Sequence, residues 1–193
     1  MKRTIEFLNP EKRFYSAHGA ALDRTSLDFW RWAYSDLIQN ITRGIVAEYL
    51  VSCAVGIESK PRDPWNYCDV ITNHGTAIEI KATGFVQAWH YEQKPKRIVP
   101  AVVLKPTKRY DPENPTIAKD KTLNADKYVI CYHKEEDMAR ADPMDVDQWS
   151  FWILDRKDID VLLKTRKSIT IASLRKNHQE LDYSGLKDAL GGI

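Results

Sequence analysis

The stretch Cys68-Asp-Val-Ile-Thr-Asn-His-Gly-Thr-Ala-Ile-Glu-Ile-Lys81 decides the fold of this chain. Its apolar residues recur at every second position on both sides of Asn73-His-Gly75, with Val70 to Thr72 before the turn and Ala77 to Lys81 after it. Alternation of this kind around a short, glycine-containing segment is typical of two antiparallel strands. We therefore predict a β-hairpin between residues 68 and 85.

The position of Gly75 predicts the register of this hairpin. In a three-residue turn with the glycine in the left-handed conformation, Thr72 pairs with Thr76. Counting outward from that pair places Asp69 opposite Glu79, with both side chains on one face. A two-residue turn would shift the register by one residue and send the two acids to opposite faces. The glycine favours the first arrangement.

The carboxylate pair shares its face with a lysine. Because Ile78 and Ile80 alternate with Glu79 and Lys81, the isoleucines are predicted in the core and the charged residues opposite them with Asp69. Two like charges across a strand pair are destabilising unless a cation compensates them. A hard divalent ion is such a cation, held by the two carboxylates and the Ile80 carbonyl. An exposed sheet face on which the lysine bridges two acids fits the hairpin pattern equally well.

A helix precedes the hairpin. Residues 36–55 carry apolar residues at helical spacing, with Ser35 as a suitable N-cap and Gly56 as a C-terminal stop. Glu48 follows Gly44 by about one turn, so its carboxylate is expected beside a gap in the helix surface. Its apolar neighbours indicate a largely buried segment, in which an unpaired acid would be costly. An exposed helical glutamate is the ordinary alternative.

The rest of the chain predicts further strands and helices around this unit. Apolar or β-branched runs indicate strands at 98–104, 128–132, 151–154 and 168–171, and short helices are expected at 158–163 and 183–190. Prolines at 106, 112 and 115 mark one loop, and residues 141–146 mark another. The expected product is an α/β or α+β fold over residues 1–193, a single domain with a central mixed β-sheet flanked by helices.

Composition bounds the function only loosely. The 193 residues carry a net charge of +2, which is too small to indicate a nucleic-acid partner by itself. Three scattered cysteines predict neither a disulfide framework nor a zinc site, and with no signal-like or membrane-spanning stretch they suggest a cytoplasmic protein. Charge is nevertheless segregated into a basic segment and an acidic segment. Either the two are solvated loops of opposite charge, or the basic segment forms a phosphate-binding face. The basic residues are Lys94, Lys96, Arg97, Lys105, Lys108 and Arg109, and the acidic ones are Asp137, Asp142, Asp145 and Asp147.

Taken in order, three motifs resemble the PD-(D/E)xK nuclease superfamily, which includes many restriction endonucleases. They are Gly44-Ile-Val-Ala-Glu48 on a helix, Pro64-Trp-Asn-Tyr-Cys-Asp69 leading into a strand, and Glu79-Ile-Lys81 on the next strand. The stretch from Glu79 to Trp89 is similar to uncharacterised prokaryotic restriction-endonuclease-like proteins, in which Gln87 and Trp89 also match. One departure is that no helix is obvious soon after the lysine strand, because Gly84, Pro95 and Pro100 interrupt that region.

The resemblance implies a restriction-endonuclease-like core and assigns roles to the matching residues. Asp69 and Glu79 would ligate Mg²⁺, for which Mn²⁺ can substitute, Lys81 would position or activate the attacking water, and Glu48 would support the metal or the water. Gln87 is a weaker candidate. The expected function is a metal-dependent endonuclease acting on DNA, in restriction or defence, with nucleic-acid contacts from Gln87, Trp89, Lys94, Lys96 and Arg97.

Two other functions stay open at this stage. One is a nucleic-acid-binding module that keeps the fold without the chemistry, and the other is an accessory subunit that cuts only with a partner protein. The sequence also leaves open whether DNA or RNA is the substrate and whether a homodimer forms to break both strands.

Overall fold

The computed structural model describes residues 4–88, 99–110 and 117–192 of the chain. In chain order its elements are β1 (Arg13–Tyr15), β2 (Ala21–Thr25), α1 (Ser26–Tyr34), α2 (Asn40–Ala54), β3 (Val70–Ile71), β4 (Ala77–Gly84), β5 (Ala101–Val103), β6 (Thr107–Tyr110), β7 (Ile117–Thr122), β8 (Lys127–His133), β9 (Trp149–Asp155), α3 (Arg156–Leu163), β10 (Ser168–Thr170), α4 (Ile171–Asn177) and α5 (Tyr183–Leu190). The predicted mixed α/β class is confirmed. The described residues contain five α-helices and a central mixed sheet.

The central sheet has four strands in the order β3-β4-β8-β9. β4 runs antiparallel to β3 and parallel to β8, and β9 is antiparallel to β8. β8 lies between two strands and is buried on both faces, which explains its continuous apolar run Tyr128-Val-Ile-Cys-Tyr132. The strand that carries the predicted site, β4, is likewise paired on both sides, with β3 and with β8.

Helices and short strands cover both faces of this sheet. On one face α2 and α5 pack against a core that includes Ile78, Ile80 and Val129. On the other, α3, α4, β5 and β10 pack against a core that includes Tyr128 and Trp152. The alternation of Ile78 and Ile80 with Glu79 and Lys81 thus separates the core under α2 from the charged residues of β4, as predicted.

The hairpin forms in the predicted register. Val70 pairs with Ile78, and the Thr72 N–H donates to the Thr76 carbonyl at 3.0 Å. Gly75 has a φ of 87°, which is the left-handed conformation expected of the last residue of the three-residue turn. This register places Asp69 opposite Glu79.

The start of the helix before the hairpin was predicted wrongly. α2 begins at Asn40, and its N-cap is Gln39, whose Oε1 accepts hydrogen bonds from the N–H groups of Ile41 at 2.8 Å and Thr42 at 3.1 Å. The predicted cap, Ser35, ends the preceding helix α1 instead. Asp36 separates the two helices, because its Oδ1 accepts from two backbone N–H groups of the connecting turn. The end of the helix was predicted correctly, since Gly56 follows it with a φ of 69°.

Most other elements lie where the sequence indicated. Six elements fall on the predicted segments, namely β5, β8, β9, β10, α3 and α5. Residues 141–146 form no helix or strand except for Val146, which begins a single helical turn, and the three cysteines are free. The proline-marked loop was wrong in part, because β6 and β7 pair as a two-stranded sheet on either side of residues 111–116. Pro106 lies just before β6, where its missing N–H costs no ladder hydrogen bond. β1, β2, α1 and α4 were not predicted.

Candidate functional site

The candidate site lies at the start of β3, where Asp69 lies beside β4. Asp69 precedes β3, and its Oδ2 accepts a hydrogen bond from the Ile80 N–H at 2.7 Å. By the hairpin register, the carbonyl of residue 68 would face this N–H if β3 continued. The Asp69 carboxylate replaces that carbonyl, so it is fixed at the edge of β4. Because a strand residue directs its N–H and C=O to the same side, the Ile80 carbonyl faces this edge too.

Glu79 and Lys81 lie on the face of β4 opposite the isoleucines. The Lys81 ammonium donates a hydrogen bond to Glu79 Oε1, and the two side chains are 33% and 21% exposed, respectively. Burial raises the pKa of Glu79, and the negative charges of Asp69 and Glu48 raise it further, while Lys81 opposes the shift. Glu79 therefore lies in the negative field of Asp69 and Glu48, and a cation placed beside it would be stabilised.

Glu48 approaches from α2, which covers the other face of the sheet. Its side chain is 15% exposed, and its carboxylate forms a two-pronged ion pair with Arg62, in which Nη2 lies 2.9 Å from Oε1 and Nε contacts Oε2. The hydrogen bond to Glu48, the charge of Glu48 and the charge of Asp69 together raise the pKa of Arg62. Glu48 is thus paired with an arginine and not with the hairpin residues. The expected gap beside it is present, since a Cβ on Gly44 would meet no heavy atom within 4 Å.

Arg62 is the residue of this cluster that sequence reasoning missed. It lies in the loop between α2 and β3, and its side chain is 44% exposed. The sequence did contain one indirect signal, because a glutamate in a largely buried helix requires a partner. Nothing in the spacing of the loop residues said which basic side chain would supply it.

A cleft of about 570 Å³ opens between α2, this loop and β3. Glu48, Arg62 and Asp69 lie on its wall together with the aromatic residues Phe7 and Tyr49. Asp69 therefore belongs to two groups, the hairpin group with Glu79 and Lys81 and the cleft group with Glu48 and Arg62. The site lies at the edge of the sheet, where residues from both faces come together.

The hairpin residues offer suitable donors for a hard metal ion. The predicted set is two carboxylates and one carbonyl, and oxygen ligands of this kind suit Mg²⁺. Asp69 Oδ1 and Glu79 Oε2 accept no hydrogen bond from the described part of the chain, so each carboxylate keeps one oxygen for a ligand. Within residues 4–88, 99–110 and 117–192, no three histidine, cysteine or acidic side chains form a group that could hold a metal ion. The donor chemistry fits a magnesium ion held by two carboxylates, the carbonyl and water.

Gln87, a predicted nucleic-acid contact, forms part of a network that links α2 to the end of β4. Its Nε2 donates to the Gly84 carbonyl at 2.5 Å, and its Oε1 accepts from Arg43 at 3.2 Å. The buried Arg43 guanidinium also donates to the Val86 carbonyl at 3.0 Å. This network fixes the chain that leaves the lysine strand. Trp89, Lys94, Lys96 and Arg97, the other predicted nucleic-acid contacts, lie outside the described residues.

The two charged segments differ in structure. Acidic residues of the second segment accept hydrogen bonds from backbone N–H groups within their own loop, as Asp137 does from Ala139 at 2.9 Å. In the first segment, Lys108 on β6 pairs directly with Lys121 on β7, and both side chains are exposed. Like charges opposite each other in a strand pair are unfavourable, so the β6–β7 hairpin is better suited to an anionic partner than the acidic loop is.

Comparisons with family models, curated proteins and solved structures found no match to this chain. No helix in the described ranges is both long and apolar enough to cross a membrane.

Proposed function

We propose that this protein is a magnesium-dependent nuclease of the PD-(D/E)xK type that hydrolyses phosphodiester bonds in DNA. The observation that carries the proposal is the convergence of Asp69, Glu79 and Lys81 at the edge of the sheet. The confirmed hairpin register supports it, because a shift of one residue would have separated the two acids. The resemblance of the three ordered motifs to restriction endonucleases supports it further.

Asp69, Glu79 and the Ile80 carbonyl would hold Mg²⁺, or Mn²⁺ in its place. Such an ion, when bound, withdraws charge from a phosphate and lowers the pKa of a bound water. The rest of the chemistry belongs to the chain. Asp69 is held by the Ile80 N–H, so its free oxygen has a fixed position. This preorganisation avoids a reorganisation cost during the reaction.

Lys81 supplies the amine. Its ammonium now contacts Glu79 and is one-third exposed, so it can reach both the carboxylate and an approaching phosphate. In the proposed hydrolysis a water oxygen attacks phosphorus in line with the 3′ oxygen and releases a proton to solvent. The P–O3′ bond breaks, and the 3′ oxygen takes up a proton from solvent and leaves as a hydroxyl. Lys81 orients that water by hydrogen bonding and stabilises the negative charge that develops on the phosphate.

A plasmid-nicking assay tests the proposal. We expect cutting with Mg²⁺, none with a chelator, and a loss of about 100-fold or more in Lys81→Ala while DNA binding persists. The matched control is Lys127→Ala on β8, because Lys127 is 29% exposed and pairs with Asp155 at 2.8 Å, yet belongs to a different ion pair. Equal cutting by the two lysine variants would refute the assignment, and DNA binding without cutting by the wild type would favour the non-catalytic module.

A further inference from the structure

The ion pair between Glu48 and Arg62 controls which groups are available in the cleft. Both oxygens of the Glu48 carboxylate are bound by the guanidinium. A carboxylate held in this way has part of its acceptor capacity occupied, and the positive charge of the guanidinium opposes a metal ion beside it. Conversely, the two N–H groups that bind Glu48 are not available to a phosphate while the ion pair is closed, and the carboxylate charge repels a phosphate beside it.

The guanidinium suits a phosphate as well as it suits a carboxylate. Its planar fork of N–H donors matches either group with two parallel hydrogen bonds. Arg62 is 44% exposed and lies on the wall of the 570 Å³ cleft, so a ligand can reach it. The volume of the cleft falls within the range of about 300 to 1,000 Å³ that is typical of sites for small organic groups such as a nucleotide.

Charge balance favours an exchange of partners. Glu48, Asp69 and Glu79 carry three negative charges, while Arg62 and Lys81 carry two positive charges. The cluster is therefore one negative charge in excess. If Arg62 moved to a phosphate, the charge of Glu48, which lines the same cleft as Asp69, would be uncompensated, and the affinity of Asp69 and Glu79 for a divalent cation would increase.

We propose that Arg62 is a phosphate-binding and positioning residue that exchanges Glu48 for the nucleic-acid backbone, so that substrate entry releases Glu48 to the metal site. This inference rests on the proposed nuclease function and adds regulation to it. Substrate and metal then bind cooperatively, because each favours the state in which the ion pair is open. The coupling is reciprocal, so DNA raises the affinity for the cation by the same factor as the cation raises the affinity for DNA.

The test measures binding with Ca²⁺, an oxygen-seeking ion used in place of Mg²⁺ so that cutting does not interfere. Calorimetry gives the Ca²⁺ affinity with and without a short DNA duplex, and fluorescence anisotropy gives the DNA affinity with and without Ca²⁺. In the wild-type protein each ligand is expected to tighten the other at least about fivefold. In Arg62→Gln we expect Ca²⁺ to bind at least about fivefold more tightly than in the wild type without DNA, DNA to bind more weakly, and the coupling to disappear.

Glu48→Gln distinguishes exchange from a merely structural role. It also abolishes the coupling, but it frees the guanidinium, so DNA should bind as tightly as in the wild type or more tightly. A structural ion pair would instead change stability and shift DNA affinity in the same direction in both variants. The matched control is Arg175→Gln, because Arg175 is 49% exposed and holds Glu180 by a similar two-pronged pair at 2.9 and 3.2 Å.

The outcomes separate this inference from the proposed function. If the wild-type protein binds no Ca²⁺ and cuts no DNA, the proposed function fails and the inference fails with it. If the wild type binds and cuts while Arg62→Gln behaves like Arg175→Gln in both titrations, the inference alone is refuted. Weaker DNA binding in Arg62→Gln but not in Glu48→Gln, with coupling lost in both, would support it.

Discussion

Asp69 has two roles in this structure, and a pair of substitutions can separate them. Its Oδ2 accepts the Ile80 N–H at 2.7 Å, which fixes the end of the hairpin, and its charge contributes to the carboxylate cluster. Asp69→Asn removes the charge but keeps an oxygen that can accept the same hydrogen bond. Asp69→Ala removes both. Comparing the two variants therefore isolates the hydrogen bond from the electrostatics.

The size of the difference follows from the kind of bond that is lost. A hydrogen bond to a charged group contributes about 1.5 to 3 kcal/mol, and a neutral one about 0.5 to 1.5 kcal/mol. Relief of the repulsion with Glu79 is common to both variants, so it cancels when they are compared. We expect Asp69→Ala to be less stable than Asp69→Asn by about 1 kcal/mol, with Asp69→Asn close to the wild type in the absence of metal.

Urea unfolding with a chelator, and again with Mg²⁺, measures both roles. The wild-type protein should gain stability with Mg²⁺ because the ion binds only the folded state, and both variants should lose that gain. Equal destabilisation by the two substitutions would show that the bond to Ile80 does not hold the hairpin. Undiminished stabilisation of Asp69→Asn by Mg²⁺ would show that Asp69 is not a metal ligand.

Three further predictions test the surroundings of the site. Because the pKa of Glu79 is raised in the folded state, the wild-type protein loses stability as the pH rises from about 4.5 through the raised pKa. Metal-free Glu79→Gln should therefore gain stability relative to the wild type over that pH interval, as measured by urea unfolding at acid and neutral pH. A pH-independent difference between the two proteins would contradict this. Gly84→Ala should lower the stability by about 1 to 3 kcal/mol, since the new Cβ would lie 2.9 Å from a nitrogen of the buried Arg43 guanidinium. Gly44→Ala, whose Cβ meets nothing within 4 Å, should be neutral or stabilising by up to about 1 kcal/mol, and equal thermal stabilities of the two variants would refute the contact at Gly84. Lys108→Glu places opposite charges across the strand pair with Lys121, so it should slightly stabilise the β6–β7 hairpin while it weakens DNA binding and reduces the salt dependence of that binding. Unchanged DNA binding across a salt titration would exclude the β6–β7 hairpin from the DNA interface.

The sequence predicted the hairpin well because its geometry is local. Gly75 is the one residue of the turn that takes a positive φ, and the alternation on both sides leaves a single register that buries Ile78 and Ile80. The pairing of Asp69 with Glu79 follows from that register. A two-residue period and one glycine were sufficient for this part of the site.

Other elements were hidden by competing local signals. The pattern around residue 36 predicted the start of the helix about one turn too early, because Asp36 caps the connecting turn and Gln39, not Ser35, caps α2. The N-terminal hairpin and α1 were not predicted, and among their residues only Ser26 is buried. The capping box of Thr25 and Asp28 was the available signal for that helix.

Arg62 could not have been predicted, because its role depends on tertiary structure. The ion pair joins a helix to a loop residue that lies 14 positions away, and the intervening chain has no regular period that would bring the two side chains together. The same holds for the network of Arg43 and Gln87, which spans 44 positions. Local patterns predict which faces of an element meet, whereas contacts of this range depend on how the loop is folded.

The two groups that share Asp69 differ in rigidity, and this difference suits them to different tasks. Glu79 and Ile80 lie on a strand that is paired on both sides, and Asp69 is tied to that strand by the Ile80 N–H, so their donors have fixed positions. A metal site needs such preorganisation, because a small displacement of its ligands weakens the site. Arg62 instead lies on a loop with an exposed guanidinium, and its only hydrogen bonds within the described residues are to Glu48. In the proposed function the rigid group would hold the cation, and the adaptable ion pair would respond to the arrival of the phosphate backbone.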